Sequence, residues 1–135
     1  MGSEPQFTAQ VNSRNGVASI TLRGELDLAT VPDLEGHLAP LESDSVSAII
    51  LDLRELTFID SVALHSLVRA KERARTSGQR LILVGARPSA RRLFQLTCVE
   101  HLLDDRDTVG VLNLFVGSQT RQAGQALAAY LNADA

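Results

Sequence analysis

At 135 residues, with 44% hydrophobic and 21% charged side chains, the chain has the size and balance of one soluble globular domain. A formal charge of −3 and a pI of about 5.5 argue against the concentrated basic face that a nucleic acid or an anionic membrane surface requires. The single cysteine, Cys98, excludes an intrachain disulfide and a cysteine metal cluster. The opening MGSEPQ shows no signal peptide and no apolar run reaches the roughly 18 residues of a membrane span, so the expected location is the cytoplasm.

Aromatic residues make up only 4% and Trp is absent, so the core has to be built from Leu, Val, Ile and Ala. Phe7, Ala9 and Val11 alternate with polar residues, as do Val17, Ser19, Ile20 and Leu22 beyond Asn15-Gly16; this predicts a β-hairpin. Gly24-Glu25-Leu26-Asp27 then forms a polar connection to a helix that Thr30 can cap, with Pro32 in its first turn and Val31, Leu34, Leu38 and Leu41 on its buried side. Val46 to Leu53 reads as a buried strand and Thr57-Phe58-Ile59 as a turn, followed by a helix from Val62 to Ser77 that Gly78 ends. Leu81 to Val84 is a further short strand, and Arg87-Pro88-Ser89 opens a third helix with Leu93, Phe94 and Thr97 inward. Val99 to Leu103 fits a short last strand. Cys98 reads as a small core residue. Strands alternating with helices imply parallel pairing through helical crossovers, so the fold class is α/β. The apolar stretch Thr108 to Val116 and the alanine-rich Gln119 to Leu131 predict one or two more helices.

Chemistry-bearing residues gather around Asp60-Ser61, between strand and helix. A serine at a helix N-terminal edge faces unpaired N–H groups and the positive dipole end, which favour a phosphate. The plainer role for Ser61 is an N-cap, worth about 1 kcal/mol. Asp27 and Asp60 end two connections that this topology brings to one edge of the sheet. Paired carboxylates can do acid–base work, but no nucleophile, metal shell or nucleotide loop accompanies them, so loop and cap roles are favoured. His37, His65 and His101 are scattered without metal-ligand spacing. Arg87, Arg91 and Arg92 read as a solvated helix face. No cofactor and no enzymatic activity are expected.

Four segments in register resemble a STAS domain, and within it the anti-sigma-factor antagonists: Gly24-Glu25-Leu26-Asp27; Ile50-Leu51-Asp52-Leu53 with Thr57-Phe58-Ile59-Asp60-Ser61; Leu81-Ile82-Leu83-Val84; and Arg92-Leu93-Phe94 with Leu96-Thr97. The resemblance covers residues 6–110 and implies a small mixed sheet, with an N-terminal hairpin and then parallel strands, backed by helices. Residues 111–135 fall outside it as a C-terminal helical extension. It implies binding to an anti-sigma factor that is also a serine kinase, phosphorylation at Ser61 that switches binding off, and a serine phosphatase that restores it. Asp27, Asp60, Ser61, Val62, Ala63 and His65 are the partner-binding positions it implies, in a monomer or dimer. The family commonly follows the aspartate with Ser-Ser-Gly-Leu or Ser-Thr-Gly-Leu, whereas this chain has Ser61-Val62-Ala63-Leu64. That departure, with the extension, modestly favours the alternative of an unphosphorylated structural STAS subunit in a signalling scaffold or transporter complex. A small-ligand carrier or nucleotide-binding enzyme ranks last.

Overall fold

A computed structural model describes residues 6–104 except residue 44. The helices expected beyond Thr108 lie outside the described residues. Strands β1 (Phe7–Arg14), β2 (Val17–Leu26), β3 (Ala48–Ile59) and β4 (Arg80–Val84) form one sheet in that order. The hairpin β1–β2 is antiparallel, whereas β2–β3 and β3–β4 are parallel, so the expected mixed α/β sheet is what forms. Helices α1 (Val31–Leu38), α2 (Ser61–Ser77) and α3 (Pro88–Leu96) connect or follow the parallel strands.

The three helices share one core with one face of the sheet. Leu34 and Leu38 of α1, Leu64 and Leu67 of α2, and Ala90 and Phe94 of α3 pack with Ile20, Leu22, Leu51, Leu53 and Leu83. Phe94 is fully buried and anchors its short helix, a burial worth roughly 1.5–3 kcal/mol for a side chain of that kind. Successive strand residues face opposite sides. Val17, Ser19, Ile50, Asp52, Ile82 and Val84 are buried as well, although they alternate with residues of the helix-packed core. This burial on both sides is why Ala48 to Leu51 reads as a continuous apolar run rather than an alternating one.

Several local expectations are corrected. Strand β3 does not stop at Leu53 but continues to Ile59, because its pairing with β2 slips twice: Asp52 to Glu55 runs opposite Thr21 to Arg23, and Leu56 to Phe58 opposite Gly24 to Glu25. Each slip adds one residue to β3, as a bulge does, and resets its alternation. Gly24 sits at the second slip with φ +94°, where a Cβ would collide with the Gln6 carbonyl. Helix α1 ends at Leu38, and Leu41 belongs to a following 3₁₀ turn, Ala39–Leu41. The last predicted strand shrinks to one bridge, Leu103 beside Leu83, after a 3₁₀ turn at Glu100–Leu102. Thr97 and Cys98 are exposed, not inward: α3 ends at Leu96, and Cys98 takes a left-handed turn at φ +63° that carries both away from the core.

Lys71 gives the fold a pH signature. Its Nζ donates to the Leu81 carbonyl at 2.6 Å. Burial pulls its pKa below the usual 10.5, Asp104 acts in the opposite sense, and Arg80 adds to the lowering. The folded state therefore holds this proton less tightly than the unfolded chain, and the charged form costs stability until pH rises through the lowered pKa. In urea unfolding at several pH values, the stability difference between wild type and Lys71→Gln is expected to move in favour of wild type as pH rises from neutral towards 10.5.

Candidate partner-binding site

The end of β3 delivers Asp60 to the start of α2 in extended conformation, with φ −101° and ψ 176°. Asp60, not Ser61, is the N-cap: its Oδ1 accepts from the Ala63 N–H at 2.8 Å. Its Oδ2 accepts from the Leu28 N–H at 3.1 Å, tying the β2–α1 loop to the same corner. The Asp60 N–H in turn donates to the Leu26 carbonyl at 3.2 Å. One carboxylate thus holds two loops 32 residues apart in sequence.

Asp27 organises the neighbouring loop. Its Oδ1 accepts from the N–H groups of Ala29 at 3.0 Å and Thr30 at 3.1 Å, the local turn that aspartate side chains favour. Its Oδ2 accepts from Gln6 Nε2 at 3.2 Å. Thr30 occupies the N-cap position of α1 without capping through its side chain. Its hydroxyl instead accepts from the Asp27 N–H at 2.9 Å and donates to the Glu25 carbonyl at 2.9 Å. The two carboxylates therefore work as loop and cap aspartates at one edge of the sheet.

Ser61 is the first residue of α2 and is exposed, and among the described residues its hydroxyl makes no hydrogen bond. Because Asp60 does the capping, the cap role considered for Ser61 is filled by its neighbour, and the hydroxyl stands free. The first N–H groups of a helix have no intrahelical acceptor, and the dipole adds positive potential there. Val62 is 43% exposed. His65, one turn beyond Ser61 on the same helix face, is exposed too. Ala63 differs. It is fully buried, so its methyl packs into the core and its N–H serves the cap. A glycine-to-alanine change at this position adds core volume and presents no Cβ to a partner. His37 Nδ1 lies 2.8 Å from the Asp33 carbonyl within α1, apart from the corner.

Asp60→Ala should cost the cap about 1 kcal/mol and strand the Leu28 N–H. Thermal melts should show the loss, and hydrogen exchange should show loosening of the 26–30 loop together with the first turn of α2. Loosening of α2 alone would mean that the Leu28 bond does not hold the loop.

Composition and periodicity did not single out Leu28, Phe58 and Leu96, which are exposed large hydrophobics at 69%, 50% and 69%. An apolar residue directly after Asp27, in the connection between strand and helix, was the available signal for the first. Phe58 was hidden by the bulges of β3. A groove of about 670 Å³ lies between α2, β4 and the 3₁₀ turn at Glu100–Leu102, and no corner residue lines it. Among the described residues no helix is long and apolar enough to cross a membrane.

The described residues thus form a mixed four-stranded sheet with helices on one core and an exposed serine beside a capping aspartate. Residues 8–111 match the family model of the STAS domain. The chain belongs to that family. It is 30% identical over 84 residues to the anti-sigma-B factor antagonist of Staphylococcus aureus, a match spanning 62% of this chain and 78% of that protein. The crystal structure of an anti-sigma factor antagonist from Mycobacterium paratuberculosis aligns with a TM-score of 0.64 at 31% identity, covering 75% of this chain and 86% of that one. The anti-sigma factor antagonist SpoIIAA in its unphosphorylated form aligns with a TM-score of 0.67 over 84% of this chain and 100% of that one; at 21% identity this shows the shared fold.

Proposed function

We propose that this protein is an anti-sigma factor antagonist that acts by binding, not by catalysis. It docks an anti-sigma factor on the corner formed by Asp27, Asp60, Ser61 and Val62, with His65 on the adjoining turn, and so releases a sigma factor to direct transcription. The anti-sigma factor, acting as a serine kinase, transfers the terminal phosphoryl group of ATP to the Ser61 Oγ; the hydroxyl proton leaves and ADP is the second product. A phosphate brings about −1.5 to −2 charges to a corner that already holds two carboxylates, and docking is lost. A serine phosphatase reverses the modification.

The observation that carries this reading is the division of labour at the helix start. Asp60 takes the cap, and Ser61 is left exposed without a hydrogen-bond partner among the described residues. The antagonist names of the relatives support the same reading. The test is a pull-down from host lysate with wild type, Ser61→Ala and Ser61→Asp, with bound proteins identified by mass spectrometry. Wild type and Ser61→Ala should hold an anti-sigma factor that Ser61→Asp loses. Identical partners for all three would end the switch reading and favour a structural subunit instead.

A further inference from the structure

Five large hydrophobic side chains are exposed among the described residues: Val11, Leu28, Phe58, Val62 and Leu96. Val11 stands on strand β1. Three of the other four adjoin the Ser61 corner. Phe58 lies two residues before Asp60, Val62 follows Ser61, and the Leu28 N–H is held by the Asp60 carboxylate. Leu96 joins them across a groove of about 280 Å³ between the end of β3 and α3, lined by Phe58, Ile59, Ala90, Leu93 and Leu96 and by the side chain of Arg92. Large apolar side chains left uncovered on both walls of one groove mark an interaction site more often than chance exposure.

The groove also carries a charge. Arg91 pairs with Glu100 at 3.2 Å, and Arg87 donates to the Arg54 carbonyl at 2.7 Å. Arg92 is exposed and has no ion pair with any described residue. A guanidinium beside an open apolar slot complements a large apolar side chain that has a carboxylate next to it. The groove wall Thr57-Phe58-Ile59 runs directly into Asp60-Ser61, so the groove and the corner share the end of β3.

We infer that this groove is a second docking site for the same anti-sigma factor, taking an apolar side chain of that partner against Phe58 and Leu96 and an acidic one against Arg92. The inference rests on the antagonist reading above. It gives the interface two parts with different duties. The groove lacks Ser61 and supplies affinity common to both states of the protein, whereas the corner supplies the difference between them, and only that difference shifts the equilibrium.

The test titrates the anti-sigma factor recovered in the pull-down with the full-length chain as wild type, Leu96→Glu, Arg92→Glu and Val11→Glu, beside Ser61→Asp. Leu96→Glu and Arg92→Glu should each weaken binding by roughly tenfold, which is 1.4 kcal/mol, and Val11→Glu by less than about twofold. The three glutamate variants should melt with the wild type. Unchanged affinity for Leu96→Glu and Arg92→Glu, with Ser61→Asp still defective, overturns the groove and leaves the corner standing. A pull-down that recovers no anti-sigma factor with any form removes both readings. A lower melting temperature for free Leu96→Glu assigns the groove to this chain's own remaining residues, and loss of a dimer in that variant assigns it to a second copy; either result overturns the inference.

Discussion

Ser61→Asp is expected to weaken binding of the anti-sigma factor by at least about 100-fold, near 2.7 kcal/mol, while Ser61→Ala binds as the wild type does. Asp60 and Asp27 already bring carboxylates to this corner, so a third negative group adds to their mutual repulsion and must be desolvated when the surfaces close. A phosphate, with up to about two charges, goes further than the aspartate mimic. Stability should move the other way. The Ser61 hydroxyl has no partner among the described residues, so its removal costs little, and an acidic residue in the first helical turn is favoured by roughly 0.3–1 kcal/mol. A variant that loses its partner while melting at or above the wild-type temperature separates a docking surface from a structural position. Calorimetric titration and thermal melts of the same preparations check both halves.

Arg54→Ala should carry the largest loss of stability. Asp52 is 1% exposed and draws its donors from one residue: the Arg54 backbone N–H at 3.1 Å, Nε at 2.9 Å and Nη2 at 2.7 Å. The hydrogen bond to Asp52 raises the Arg54 pKa further, against some desolvation. Truncating the arginine leaves a carboxylate buried with one backbone donor, a change that costs about 3–5 kcal/mol when a buried pair is broken. The Arg54 side chain is 37% exposed, which places the loss at the lower end, near 3 kcal/mol, still a large share of the ~5–15 kcal/mol typical of a domain. Lysine should rescue only part of it, because the two-pronged geometry is lost. The Arg54 stem also fills the space above Gly85, where a Cβ would strike its Cγ. Urea unfolding measures the difference; wild-type stability in Arg54→Ala would contradict this reading of the pair.

The legible parts of the fold were those in which one periodicity ran unbroken. The Asn15-Gly16 hairpin, the buried run from Ala48 and the apolar stripe of α2 each follow one rule over their whole length. The stretch from Arg54 to Ile59 does not. Two bulges change the phase of β3 and Arg54 turns back onto Asp52, so neither alternation nor polarity marks it as strand. The ends of α3 failed for a related reason. Leu96, Thr97 and Cys98 have the composition of a core segment, but the helix stops and a left-handed residue sends them outward. At the corner, Asp60 and Ser61 could each cap a helix by residue type. Which of them does so depends on the extended backbone that β3 imposes on Asp60, and that geometry is tertiary.

The most direct test of the central claim is mass spectrometry of the full-length protein after incubation with its anti-sigma factor and ATP, alongside measurement of the complex that remains. The account predicts one phosphate, on Ser61 and absent from Ser61→Ala, with the complex dissociating as the phosphate appears. A phosphate on another residue, or a complex that persists with Ser61 fully phosphorylated, would contradict it.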